Sequence, residues 1–138
     1  MIDLYLHGHQ VHSVFQLLGE DENDISSSVA WALASCPSFR SAFLESQVKY
    51  KARGEEVVIR LQHSEKTGGR TDIEIESAGS LYVIIEAKKG WQLPGREQLR
   101  KYANRVNFKS SQAPVRLILV LSECSQEYAK ANMELNEV

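Results

Sequence analysis

The feature that most constrains this fold is a pair of strand-like segments separated by a short turn sequence. Residues 70–77 (RTDIEIES) alternate strictly between polar and apolar side chains, and residues 81–87 (LYVIIEA) form an apolar run. Both patterns are typical of β-strands. Ala78-Gly79-Ser80 lies between them and favours a hairpin turn. The sequence therefore predicts two neighbouring antiparallel strands.

The length of the turn decides which side chains share a face of this hairpin. With a three-residue loop, Ser77 faces Leu81, and counting back along both strands places Asp72 opposite Glu86. Directly opposed residues have Cβ atoms about 5 Å apart, and Lys88, two residues beyond Glu86, points to the same side. A two-residue loop would instead send Asp72 to the opposite face.

Two carboxylates this close repel each other unless a cation lies between them. Mg²⁺ binds through one or two carboxylates and keeps its other positions for water and phosphate oxygens. Lys88 would then orient a water or stabilise charge on a phosphate. The alternative is an ordinary solvent-exposed hairpin face that carries Glu74, Glu76 and Glu86 as surface residues.

The remaining patterns predict the order α–α–β–β–β–α–β–α. Residues 115–121 are apolar on both faces, as in a central, covered strand. The helix before them is long enough for a crossover between two parallel strands. We therefore expect one α/β domain of 138 residues, with a mixed sheet and helices on both faces. The other predicted elements are helices at 22–35, from Pro37, at 94–106 and near Ser125, and a strand at 56–62.

The first predicted helix supplies a third acidic residue. Glu22 precedes Ile25, Val29 and Leu33 at helical spacing, so it lies on the stripe that packs inward. An acid there is costly unless it is paired or bound to metal. Glu20, which lies off this stripe, is an alternative. An acid at a helix start also has a simpler explanation in the helix dipole.

Positive charge is concentrated in the second half of the chain. Residues 87–122 contain eight Lys or Arg residues and one acid, a net charge of +7, whereas the whole chain carries −2. Such a segment suits a polyanion such as a nucleic-acid backbone. A solvated basic helix face is the alternative.

Cysteine usage and hydropathy indicate a cytoplasmic protein. Cys36 and Cys124 are far apart in sequence and predict two reduced, partly buried thiols. The N-terminal segment lacks the basic start and apolar stretch of a signal peptide. No apolar run approaches the roughly 20 residues needed to cross a bilayer, so we expect no membrane partner.

Taken in order, these residues resemble the PD-(D/E)XK nuclease superfamily. The similarity consists of an acid in the first helix, then Asp72, then the triplet Glu86-Ala87-Lys88. Gln98 and Tyr102 are similar to the Gln-x-x-x-Tyr element of RecB-like members, and the whole resemblance spans about residues 20–121. It implies a restriction-endonuclease-like core with the order α-β-β-β-α-β. This chain departs from the motif in having Thr71, not Pro, before Asp72, at a position that varies in the superfamily.

The resemblance also implies a metal site. Asp72, Glu86 and the backbone carbonyl of Ala87 would ligate Mg²⁺ or Mn²⁺, and Glu22 would bind directly or through water. Lys88 would position the attacking water.

A nucleic-acid surface is implied beside that site. Gln98 and Tyr102, four apart on one helical face, would contact DNA or brace the site. Trp91 would stack on a base or pack the loop between strand and helix. The basic residues expected to contact phosphates, without reading sequence, are Lys89, Arg96, Arg100, Lys101 and Arg105.

The expected activity is therefore hydrolysis of DNA phosphodiester bonds by a metal-activated water. A catalytically inactive domain of the same fold, which binds nucleic acid or serves in assembly, is the alternative. Residues 1–138 would form one domain, which leaves open a homodimer or the N-terminal part of a longer protein.

Overall fold

The computed structural model describes residues 4–6 and 8–133, which contain two β-sheets. The strands are β1 (Leu4–Leu6), β2 (His9–Val11), β3 (Val58–Leu61), β4 (Ile73–Ser77), β5 (Leu81–Ala87) and β6 (Val115–Leu121). A small antiparallel hairpin of β1 and β2 precedes a four-stranded sheet with the spatial order β3-β4-β5-β6. In the larger sheet β3, β4 and β5 are antiparallel, whereas β6 runs parallel to β5. The predicted α/β class with a mixed sheet is confirmed.

The hairpin between β4 and β5 has the predicted three-residue loop. Ser77 pairs with Leu81, and the register continues without a break to Ile73 and Ile85. Gly79 occupies the loop with φ of 76°. This left-handed backbone conformation is sterically unfavourable for residues that have a Cβ. One further step in this register places Asp72 opposite Glu86, on the same face of the sheet.

The described part of the chain also forms five α-helices. The first begins and ends at the predicted residues, and the second begins at Pro37, where the missing N–H of proline costs nothing. A π-helical turn (Leu44–Val48) extends the second helix and ends at Lys49 in a left-handed conformation. The helices are α1 (Glu22–Ser35), α2 (Pro37–Phe43), α3 (Arg96–Ala103), α4 (Val106–Ser110) and α5 (Gln126–Asn132).

The larger sheet separates two apolar layers. Side chains at odd positions of β4 and β5, among them Ile75 and Val83, cluster with Leu33 of α1. Side chains at even positions, such as Ile84, cluster with Tyr102 of α3 and with α4. Helices therefore cover both faces, and the even face of β4 and β5 lies under α3.

Three details differ from the sequence expectation. The helix expected at 94–106 is split into α3 and α4, and Val106 starts the second of these with its side chain exposed. β6 is an edge strand rather than a central one, and its residues are mostly half-buried. The hairpin of β1 and β2 was not predicted, because its strands are three residues long and largely exposed.

The described helices include none with the length and apolarity that a membrane span requires. Both cysteines are free, but Cys36 is exposed and only Cys124 is half-buried, so the expectation of two partly buried thiols is half right.

Candidate active site at the carboxyl end of β5

Glu86 lies near the end of β5, and only 3% of the residue is exposed. Three donors contact its carboxylate. The Tyr102 hydroxyl lies 2.6 Å from Oε2, and Gln98 Nε2 donates to Oε1 at 2.7 Å. Lys88 Nζ lies 2.9 Å from the same Oε1. Because a buried carboxylate is costly unless paired and hydrogen-bonded, these donors hold Glu86 in one orientation.

Asp72 sits beside Glu86, one residue before β4 begins. Its Oδ2 accepts a hydrogen bond of 2.8 Å from the Ala87 N–H, and Gln62 Nε2 lies 3.4 Å from its Oδ1. The Gln62 N–H also donates to the Asp72 carbonyl, at 3.0 Å. Gln62 has φ of 50°, which is uncommon for a residue other than glycine. No sequence pattern pointed to Gln62, because its contact depends on the turn of the backbone after β3.

Glu22, the first residue of α1, reaches the same end of β5. Its Oε1 accepts from the Lys89 N–H at 3.3 Å, and its Oε2 lies 3.8 Å from Lys88 Nζ. Glu20 is exposed and precedes the helix. Of the two acids left open by the sequence, Glu22 is therefore the one that contacts the hairpin.

Electrostatics at this end of the sheet favour a protonated lysine. Burial disfavours the charge of Lys88, but the hydrogen bond and charge of Glu86, followed by the charges of Glu22 and Asp72, raise the pKa of Lys88. Burial and the same Glu86 carboxylate raise the pKa of Tyr102. Lys88 is thus a cation and Tyr102 a neutral donor across the physiological range.

The donor chemistry of the paired acids fits a hard divalent cation. Three donors occupy Glu86 and two occupy Asp72, whereas a carboxylate offers about four acceptor positions. Mg²⁺ commonly takes only one or two carboxylates. Within residues 4–6 and 8–133, no group of three His, Cys, Asp or Glu side chains is arranged to hold a metal ion. The fit is therefore to Asp72 and Glu86 as a pair, and the Ala87 carbonyl remains a predicted ligand.

The alternative of a solvent-exposed hairpin face is wrong, because the even-numbered side chains of β4 and β5 are mostly buried. Glu74 is fully buried and Glu86 nearly so, so neither is a surface residue. Glu76 is half-buried and forms an ion pair of 2.7 Å with Arg60. The hairpin face is therefore covered by α3 and α4 over most of its length.

The residues expected to contact nucleic acid divide into three groups: those that brace Glu86, those at or near the surface, and the buried Arg105. Gln98 and Tyr102 brace Glu86, and Tyr102 is buried. Lys89, Arg100 and Lys101 are exposed, and Arg96 is half-buried.

Arg105 corrects the expectation, because it is fully buried. Its guanidinium donates to Glu74 Oε1 at 2.8 Å and to the carbonyls of Gly68, Gly69 and His63. It is therefore not available to a phosphate. The missed signal was Glu74, since an acid on a covered strand face requires a buried partner.

Glu74 has further partners within the same covered layer. The Thr71 and Tyr82 hydroxyls each lie 2.9 Å from its carboxylate. This network holds the segment before Asp72 against the junction of α3 and α4.

Comparison with known proteins gives no match: no protein-family model, no curated protein sequence and no solved structure is significantly similar to this chain.

Proposed function

We propose that this protein is a metal-dependent nuclease of the PD-(D/E)XK type that hydrolyses phosphodiester bonds of DNA. The observation that carries the proposal is the meeting of Glu22, Asp72, Glu86 and Lys88 at one end of β5. Glu22 comes from a helix, Glu86 from β5, and Asp72 and Lys88 from the residues that directly adjoin β4 and β5. The restriction-endonuclease-like core is proposed with it, supported by α1, the three antiparallel strands and the crossover to β6.

Asp72 and Glu86 would hold Mg²⁺ or Mn²⁺. When bound there, the cation would supply Lewis-acid polarisation of the phosphate and lower the pKa of a water. Lys88, which the surrounding acids keep protonated, would orient the water or a phosphate oxygen. Glu22 Oε2 lies 3.8 Å from Lys88 Nζ and would help to keep this ammonium group in place.

Gln98 and Tyr102 would act as positioning residues. Each donates to Glu86, and Gln98 Nε2 also lies 3.1 Å from the Tyr102 hydroxyl. Groups that orient a metal ligand commonly affect metal affinity or activity by about 10- to 100-fold. The Gln-x-x-x-Tyr spacing is thus explained by two donors, one helical turn apart, that converge on one carboxylate.

Exposed cations on the two segments that carry site residues support a nucleic-acid substrate. Lys89 follows the site directly, and Arg100 and Lys101 lie exposed on α3. Their phosphate contacts would hold a strand without reading its sequence. A cytoplasmic location is part of the proposal and is supported by two free thiols.

Nuclease assays on the purified chain test the proposal. Plasmid, single-stranded DNA and RNA are incubated with Mg²⁺, Mn²⁺ or EDTA. We expect cleavage of DNA that EDTA abolishes and that Asp72→Asn, Glu86→Gln and Lys88→Met each lower by at least about 100-fold.

Matched controls separate these effects from general loss of charge. Glu76→Gln removes an acid from the same hairpin at its ion pair with Arg60, and Lys51→Met removes an exposed lysine. Both controls should cleave at the wild-type rate. Cleavage that persists in Glu86→Gln or Lys88→Met at the level of the controls would refute the proposed site.

A non-catalytic nucleic-acid-binding domain is the second candidate. The observation that favours it is the 2.9 Å contact between Lys88 and Glu86, because an ammonium group already neutralises part of the acidic pair. Isothermal calorimetry with Mn²⁺ distinguishes the two. DNA binding without measurable metal binding would favour this candidate over the nuclease.

A further inference from the structure

The loop between β5 and α3 presents an exposed tryptophan on the segment that directly follows Lys88 of the candidate active site. Trp91 is 57% exposed and follows Lys88 by three residues and Lys89 by two. Lys89 is itself exposed, and its N–H binds Glu22 of the site. The indole therefore stands on the segment that carries two of the site's cations.

This loop is anchored at the residue before Trp91. The Gly90 carbonyl accepts from the Ser122 hydroxyl and from the Glu123 N–H, each at 3.0 Å. Gly90 has φ of 62°, so the turn requires a backbone conformation that glycine adopts freely. Ser122 Oγ also lies 3.2 Å from the Gln92 carbonyl. Trp91 is thus flanked by two residues whose carbonyls are hydrogen-bonded. A loop that is already ordered loses less conformational entropy when a ligand binds to it.

Tyr128 of α5 completes an aromatic pair with Trp91. The two ring centroids are 4.9 Å apart, with an interplanar angle of 65°, and Tyr128 is 38% exposed. Together they line an open cleft of about 710 Å³. Leu93 and Pro94 add apolar surface to this cleft, and Gln92 and Asn132 add amide groups. A planar ring with hydrogen-bonding edges, such as a nucleobase, matches this lining.

We propose that Trp91 and Tyr128 form a stacking platform for an unpaired base of the strand bound at the candidate active site. The proposal rests on the proposed nuclease function and deepens it by naming the substrate class as single-stranded nucleic acid or an unpaired end. Aromatic side chains stack on bases of any sequence. Bases inside a duplex are already stacked on both faces, and only the terminal pairs have a free face, so the platform favours unpaired bases over a duplex.

Intrinsic fluorescence tests this platform directly, because the chain contains only two tryptophans. In the Trp31→Phe variant, Trp91 is the only remaining tryptophan. This variant is titrated in EDTA, which prevents cleavage, with oligothymidylate and with a blunt duplex of equal length. Binding is followed in parallel by the anisotropy of labelled strands. We expect saturable quenching of Trp91 by oligothymidylate and little quenching by the duplex.

Affinity measurements supply the second readout, with a matched control. Trp31 is 58% exposed, almost the same as Trp91, but lies on α1. Trp91→Ala should weaken oligothymidylate binding by about 5- to 150-fold, the range for loss of one stacked base. Trp31→Ala should bind as the wild type does.

The outcomes separate this proposal from the nuclease proposal. Unquenched Trp91 in the presence of bound oligothymidylate, equal quenching by the duplex, or equal affinities of the two alanine variants would overturn the platform. DNA cleavage would leave the nuclease proposal standing in each case. A protein that neither binds nor cleaves nucleic acid would overturn both.

Discussion

Replacement of the buried Arg105 by methionine should destabilise the protein strongly. The guanidinium is fully buried and contacts Glu74, which is also fully buried, at 2.8 Å. Arg105→Met keeps most of the side-chain volume but leaves the Glu74 carboxylate without its counter-ion. Among the described residues, the hydroxyls of Thr71 and Tyr82 would still contact that carboxylate.

The expected magnitude follows from the burial of both partners. Removal of one member of a buried ion pair costs about 3–5 kcal/mol, because an uncompensated charge stays buried. A domain of this size has a total stability of roughly 5–15 kcal/mol. The loss should lower Tm by about 10–20 °C.

Urea denaturation followed by circular dichroism measures this effect. Arg100→Met, which alters an exposed arginine on α3, serves as control and should change the free energy of unfolding by less than about 0.5 kcal/mol. The double variant Arg105→Met with Glu74→Met should recover part of the loss, since it removes the buried Glu74 carboxylate together with its counter-ion. Recovery should be incomplete, because Glu65, 3.6 Å from the Arg105 guanidinium, would still lose its partner. An Arg105→Met protein as stable as the control, but with weakened DNA binding, would refute the buried-pair reasoning and restore Arg105 as a phosphate contact.

Three further predictions concern polar groups that are buried or half-buried. Burial, and then the charge of Glu74, raise the pKa of Tyr82. The stability that its neutral phenol provides should be intact below about pH 10 and lost as the pH rises further; Tyr82→Phe should flatten this alkaline decline in urea denaturation. Gln98→Ala and Tyr102→Phe should each lower DNA cleavage by about 10- to 100-fold at unchanged DNA affinity, and equal rates would contradict their positioning role. Ser77 Oγ is buried without a hydrogen-bond partner in the described structure, so Ser77→Ala should raise stability by about 1 kcal/mol in thermal denaturation; a loss of stability would contradict this.

Features set by local pattern could be predicted from the sequence. The three-residue turn of Ala78, Gly79 and Ser80 determines the hairpin register, and that register places Asp72 and Glu86 on one face. The bounds of α1 and β5 agree with the predicted helix and strand. In each case the information lies in side chains close together in sequence.

Features set by distant partners could not be predicted. The sequence of an apolar edge strand has the same pattern as that of a central strand, because periodicity reports burial on each face and not the number of neighbouring strands. For this reason the sequence predicts a central position for β6, whereas the strand lies at the edge of the sheet. Arg105 lies in a basic segment, so the sequence predicts a surface residue. Its partners Glu74, Gly68 and Gly69 are more than thirty residues away in sequence.

The hairpin turn and the candidate active site lie at opposite ends of β5. The seven residues of this strand separate them by about 20 Å. Ala78 and Gly79 are exposed at the turn, where chains tolerate insertion best. A fluorescent label, an affinity tag or the new ends of a circularly permuted chain would therefore be best accommodated at this turn. The length of β5 would keep such an addition away from the candidate active site.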